Sequence, residues 1–173
     1  MDIVVNAQPA AGAHHGILAW NSHQVPCALG RAGISPDKSE GDGATPAGSF
    51  PLRQVLFRSD RISPPRTGLP LAAIEPDDGW CDAPDHNLYN RLIRLPFDAS
   101  CEHLWRQDHR YDVIVVVGYN DDPPTPAKGS AIFIHLAGPE FPATEGCVAL
   151  AAADMLRLLT DCGPKDRIRI TTA

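Results

Sequence analysis

Several things are missing from this 173-residue sequence, and each absence narrows its function. No Cys-x-x-Cys pair occurs. The five cysteines, Cys27, Cys81, Cys101, Cys147 and Cys162, are an odd number, which argues against a zinc knuckle and leaves at least one thiol without an internal partner. Basic residues are scarce: fifteen Lys and Arg stand against twenty-one Asp and Glu, for a net charge of −6. No basic footprint exists for nucleic acid, and no polybasic run for an anionic membrane surface. No apolar stretch approaches the roughly 18 residues of a membrane span. The opening residues, MDIVVNAQPAAGAHHG, carry no Lys or Arg and no long apolar core, so no signal peptide is visible. No cofactor motif and no metal-ligand spacing is found. His14-His15 is a poor metal pair, because neighbours on an extended segment point to opposite sides.

Turn formers are abundant instead. Seventeen prolines and fourteen glycines predict many short elements joined by turns rather than a helical bundle. Branched and aromatic runs at 3–5, 17–20, 25–29, 50–57, 92–95, 111–119, 130–136 and 167–171 read as strands. The runs YDVIVVVGY and SAIFIHL are rich in consecutive branched and aromatic residues and predict central, doubly buried strands. Residues 59–78 read as a surface excursion. Two segments read as helix: 99–107, and 150–162, where Ala151, Met155, Leu158, Leu159 and Cys162 share one face before Gly163-Pro164. The expectation is a single domain over 1–173, α+β but predominantly β, with a late helix packed on the sheet.

Chemistry concentrates at one place. His135 lies at the end of an apolar strand, and Cys147 follows Gly146 on a polar turn. A glycine there lets backbone approach a substrate closely. A helix starting just downstream favours a thiolate and offers amides to an oxyanion, so the thiol is expected to react below the roughly 8.5 of a free cysteine. Cys plus His is the minimal nucleophilic pair: imidazole takes the thiol proton and returns it to a leaving amine.

The order strand-His135, loop, Thr144-Glu145-Gly146-Cys147-Val148 resembles the His…Ser/Thr-x-Gly-Cys signature of L,D-transpeptidases with the YkuD-type catalytic domain. Thr45-Pro46-Ala47-Gly48-Ser49-Phe50 resembles the family's Thr-Pro-x-Gly-x-Phe turn, and Tyr119-Asn120 with 129–135 is similar to a small branch of it. The resemblance implies a YkuD-like β-sandwich or barrel with a helix after the catalytic cysteine. It implies Cys147 as nucleophile, His135 as base, and the Gly146 and Cys147 amides as oxyanion donors, with no cofactor and no metal. The imidazole's second nitrogen is usually oriented by a backbone carbonyl in the family. The partner implied is the peptidoglycan stem peptide with its diaminopimelate, in the periplasm or cell envelope, and a monomer is expected. A carbapenem-type β-lactam is expected to acylate Cys147. Tyr119, Asn120, Thr144, Glu145, Trp80 and Arg31 are the expected substrate-binding residues. Glu102, Arg106 and Asp108 read as a solvated face, with recognition of zwitterionic diaminopimelate as the alternative.

Two positions depart from the family pattern. Glu145 stands where many members have His, and Ala149 where many have Arg. The three-to-three crosslink is the leading expectation, and the negative edge beside the thiol makes a one-to-three link the second. Hydrolysis of the same acyl-enzyme, as an L,D-carboxypeptidase or endopeptidase, is the alternative reaction. A non-catalytic peptidoglycan-binding module is the alternative class, as is, last, a cysteine peptidase acting on ordinary proteins.

Overall fold

The computed structural model describes residues 1–172. Its strands, in chain order, are β1 (Asp2–Ala7), β2 (His15–Trp20), β3 (His23–Ala28), β4 (Ile34–Ser35), β5 (Thr45–Pro46), β6 (Gly48–Phe57) and β7 (Leu71–Ala73). There follow β8 (Asp78–Cys81), β9 (Leu92–Arg94), β10 (Cys101–His103), β11 (Val113–Val117), β12 (Phe133–Leu136), β13 (Val148–Leu150) and β14 (Arg167–Thr171). One α-helix, α1 (Ala152–Asp161), precedes β14.

The large sheet runs β11-β12-β13-β3-β2-β1-β14-β6-β7 and closes on itself. Closure is made by β6, a ten-residue strand that serves three partners. Its first half pairs with β14, while Leu52 to Phe57 pair with β11 and Val55 to Phe57 with β7. Closure covers the outer edge of β11, which an open sheet would have to protect. The domain is therefore mostly β and barrel-like, with its helix late in the chain.

Strand alternation divides the apolar residues into two cores. Val113, Val115 and Val117 of β11, with Ile132 and Ile134 from the β12 segment, face the barrel interior. There they meet Ile3, Leu18 and Trp20, and also Met155, Leu158 and Leu159 of α1. Ile114 and Val116 point the other way, with Phe133, into a second core shared with Trp80, Leu104, Tyr111 and Cys147. All five residues of β11 are buried, as the unbroken apolar run predicts. The second core is covered by a small antiparallel sheet, β10-β8-β9.

The segment expected as a helix over 99–107 folds instead as β10. It pairs with β8 residue for residue, Cys101 with Cys81 and Glu102 with Trp80. Helix propensity there is modest, with Ser100, Cys101 and His103 on either side of Glu102, and cross-strand pairing over the second core overrides it. The stretch expected as a surface excursion contributes β7 to the barrel. Helix α1 is two residues shorter at its start than expected, because Val148 to Leu150 form β13 against β12 and β3.

Candidate active site

The register of β12 and β13 brings His135 and Cys147 to one wall. The strands are parallel, with Ile134 opposite Val148 and His135 opposite Ala149. Cys147 immediately precedes this register, so its sulfur arrives beside Phe133, and the Phe133 N–H donates to Sγ at 3.3 Å. Phe133 and His135 lie two residues apart on the outward face of β12. Tyr111 packs on both, with ring centroids 6.0 Å from Phe133 and 5.3 Å from His135. His135 and Cys147 line one cleft of about 570 Å³ between the barrel wall and the small sheet.

The turn that carries Cys147 is fixed from several sides. Thr144 N–H donates to the Leu29 carbonyl and Arg31 N–H to the Thr144 carbonyl, each at 2.9 Å. The Thr144 hydroxyl donates to the Cys147 carbonyl at 2.7 Å and accepts from Gly146 N–H at 3.1 Å. Gly146 has φ +136°, and a Cβ there would lie 2.7 Å from the Ala44 carbonyl oxygen. Ala44 precedes the Thr-Pro turn, and the Thr45 hydroxyl accepts from Gly30 N–H at 2.8 Å. The Thr-Pro-x-Gly-x-Phe segment thus buttresses the Gly-Cys turn.

His135 Nδ1 is held on the Leu136 carbonyl at 2.9 Å, which leaves Nε2 for the cleft. Burial, aided by the charges of Arg110 and Arg106, brings the His135 pKa down to about 4, against the upward pull of the Leu136 bond. Burial first, and the nearby Glu102 charge second, push the Cys147 thiol up to about 12. The resting pair is therefore a neutral thiol and a neutral imidazole. The thiol donates to the Ala131 carbonyl at 3.2 Å. No hydrogen bond joins it to His135 among the described residues, a common state of sites without substrate. The expected thiolate does not form at rest, because β13 separates Cys147 from the start of α1 and the helix N-terminus is not at the sulfur.

The depressed His135 pKa has a consequence for stability. Between about pH 6.5 and 4 the unfolded chain binds a proton that the native protein does not. The contribution is present in full above pH 6.5 and is lost as pH falls through 4, in total about 3 kcal/mol. Denaturant unfolding of wild type and His135→Gln at several pH values is expected to show this excess loss in wild type alone. Parallel pH profiles would contradict it.

The expected substrate-binding residues are distributed as follows. Glu145 and Thr144 line the cleft. Arg31 reaches the cleft rim through an ion pair with Glu145. Trp80 is buried in the second core, with Nε1 donating to Asn90 Oδ1 at 2.9 Å and its ring edge-on to Phe133. Tyr119 donates its hydroxyl to the Lys128 carbonyl, and Asn120 at φ 47° donates to the Thr125 and Gly129 carbonyls. These three are taken up by packing and by the loop between β11 and β12, outside the cleft lining. Of the expected oxyanion donors, Gly146 N–H is already given to Thr144. No side chain among the described residues accepts from Cys147 N–H.

The cleft also contains residues that sequence reasoning missed: Lys38, Glu40, Asp82 and Tyr111. Glu102, Arg106 and Arg110 complete its charged wall. Tyr111 donates its hydroxyl to Glu102 at 2.5 Å. Arg106 is bidentate on Asp108, at 2.8 and 2.6 Å. The sequence signals for Lys38 and Glu40 were their places just before the Thr-Pro turn, and for Tyr111 its place at the head of the strongest strand. Among the described residues no group of His, Cys, Asp and Glu is arranged to hold a metal ion. No described helix is long and apolar enough to cross a membrane.

A strand-borne histidine and a cysteine on a glycine turn thus line one cleft on the wall of a closed β-barrel. The L,D-transpeptidase catalytic domain family, YkuD, matches residues 14–170, and the chain belongs to it. The family acts on peptidoglycan through a catalytic cysteine and is typically extracytoplasmic. Among solved structures, Mycobacterium tuberculosis L,D-transpeptidase 1 is similar, at 15% identity and a TM-score of 0.41. The alignment covers 98% of this chain and 58% of that one, so the chain spans little more than half that protein's length. No curated protein matches it.

Proposed function

We propose that the protein is a peptidoglycan L,D-transpeptidase that joins stem peptides through a thioester on Cys147. The supporting observation is the shared cleft, in which Cys147 faces an imidazole whose Nδ1 is anchored and whose Nε2 is free. As substrate enters, Sγ turns from the Ala131 carbonyl toward Nε2 and gives up its proton as it attacks the carbonyl carbon of the donor. The oxyanion takes the Cys147 N–H. Collapse expels the D-residue amine, which receives the proton from Nε2, and leaves the thioester. The acceptor amine then loses a proton to Nε2 and attacks the thioester carbon. The new amide forms, and the thiol recovers its proton.

The charges of the cleft suit diaminopimelate, whose far end carries an amine and a carboxylate. Asp82 and Glu102 face the amine, and Arg110 faces the carboxylate. Among the described residues Arg110 has only the distant Asp108, at 3.8 Å, as an ion-pair partner. Arg110→Ala is expected to raise KM about tenfold with kcat little changed, the mark of a contact made equally in ground and transition states. Steady-state kinetics on muropeptides check this; a loss confined to kcat would contradict it.

The negative edge expected from Glu145 is cancelled in the folded protein. Arg31 pairs with Glu145, and Arg106 and Arg110 enter the same cleft. Ala149, where the family's arginine stands, is buried in β13 between Ala28 and His135. The Arg31 pairing and the cation of Arg110 support the common donor geometry over a one-to-three link. The proposed product is the three-to-three crosslink. Incubation with purified disaccharide-tetrapeptides and tandem mass spectrometry tests it: a dimer joined through two diaminopimelate residues is expected. Trimmed tripeptides alone would identify a hydrolase.

A further inference from the structure

The five cysteines divide into three kinds. Cys27 and Cys162 are buried in the barrel core, and neither stands opposite another cysteine in the sheet. Cys147 is the nucleophile of the reading above. Cys81 and Cys101 remain, and they are directly opposite each other on β8 and β10.

The hydrogen-bond pattern fixes the kind of pair they make. Cys81 N–H donates to the Arg91 carbonyl at 2.9 Å, and the Cys81 carbonyl accepts from Asn90 N–H at 2.8 Å. Both backbone groups of Cys81 therefore face β9, away from β10. On the β10 side the neighbouring bond runs from Asp82 N–H to the Ser100 carbonyl. Cys81 and Cys101 thus form a non-hydrogen-bonded antiparallel pair. At such pairs the Cα atoms lie about 4.5 Å apart and the side chains project from the same face. That spacing falls inside the range of about 4.4–6.8 Å that a disulfide needs. Cys81 is fully buried and Cys101 partly exposed, so a reagent reaches the pair through Cys101.

From this geometry we infer that Cys81 and Cys101 form an oxidation site that closes to a cross-strand disulfide. The oxidant is an exchangeable disulfide. The Cys101 thiolate attacks one of its sulfurs and releases the first thiol. The Cys81 thiolate then attacks Cys101 Sγ in the mixed disulfide, making the internal S–S bond and releasing the second thiol. Two electrons pass to the oxidant, and the two cysteine protons end on the released thiols. The bond lies on the face of the ribbon opposite Trp80 and Glu102, since alternate residues of a strand point to opposite faces. It staples from behind the strands that bring Asp82 and Glu102 to the cleft, and it leaves Cys147 outside the bridge.

The test uses the whole protein in a glutathione redox buffer, with Cys147→Ala run in parallel so that the nucleophile cannot be capped. In that variant the thiols counted after denaturation are expected to fall from four to two, with a mass loss of 2 Da. Cleavage by trypsin at Arg91 and Arg94 separates the two cysteines, so the unreduced digest is expected to contain their peptides linked. The wild-type digest is expected to show the same link. The oxidised protein is expected to melt about 6–12 °C above the reduced one, and Cys101→Ser is expected to abolish this difference. Four thiols persisting in oxidised glutathione, a glutathione adduct standing unresolved on Cys101, or a link between other cysteines would overturn the inference. The result does not depend on transpeptidation, so an inactive enzyme with the bridge, or an active one without it, separates the two proposals.

Discussion

Cys147→Ala is expected to leave a folded protein that forms no acyl-enzyme at all. In the proposed mechanism the sulfur is the atom to which the donor carbonyl bonds, and among the described residues no other thiol lines the cleft. A carbapenem, with a strained carbonyl in place of the scissile one, is expected to add its mass to wild type and not to Cys147→Ala. An adduct on another cysteine would identify a different nucleophile. His135→Ala is expected to slow acylation by about 10²–10⁴-fold, the usual worth of a positioned base. The base matters here because the thiol is held neutral, with its pKa near 12, so no standing thiolate supplies the nucleophile. The proton must leave during attack, and His135 Nε2 is there to take it. The double variant is expected to be little worse than Cys147→Ala, since residues acting as one unit are not additive. Slow labelling of Cys147 by small alkylating reagents at neutral pH is part of the same picture. Rapid labelling with a midpoint below 8 would instead indicate a resting ion pair.

How much of this was legible in the sequence depends on how local each feature is. The strands β11 and β12, the helix face of Met155, Leu158 and Leu159, and the positions of His135 and Cys147 are written in runs of consecutive residues, where period and turn chemistry decide. The charged wall of the cleft is not. Lys38, Asp82, Glu102 and Arg110 come from four separated segments, and only the closure of the barrel and the docking of the small sheet bring them together. Residues 99–107 were misread because three residues of β10 carry no period, and their structure is fixed by the register with β8. Tyr119 and Asn120 misled in another way. Their polar groups are consumed by the backbone of the loop they stand on, and sequence cannot show whether a hydrogen-bonding side chain is spent locally or left for a ligand. The pairing of Glu145 with Arg31 and the entry of Arg110 into the cleft are likewise set by contacts between distant segments.

Gly146→Ala is expected to cost about 10²–10³-fold in acylation while leaving the barrel folded. Two effects act at once. The backbone at φ +136° is one that a residue with a Cβ rarely adopts. The added carbon would also meet the Ala44 carbonyl oxygen at 2.7 Å, closer than real contacts of that kind. Relief by moving Ala44 is opposed, because its N–H is bonded to Asp42 Oδ1 at 2.8 Å and the next residue, Thr45, is tied to Gly30 and Gly33. The turn must therefore shift on the cysteine side. A displacement of about 1 Å there misplaces both the sulfur and the Cys147 N–H, and errors of that size cost about 10²-fold or more in well-oriented sites. Thr144→Val removes the hydroxyl that ties Gly146 N–H to the Cys147 carbonyl without any clash. It is expected to give a smaller loss in the same direction. Pre-steady-state mass spectrometry of carbapenem acylation measures both variants on one scale. Wild-type rates for Gly146→Ala, with an unchanged melting temperature, would show that the Thr-Pro buttress does not govern where the nucleophile sits.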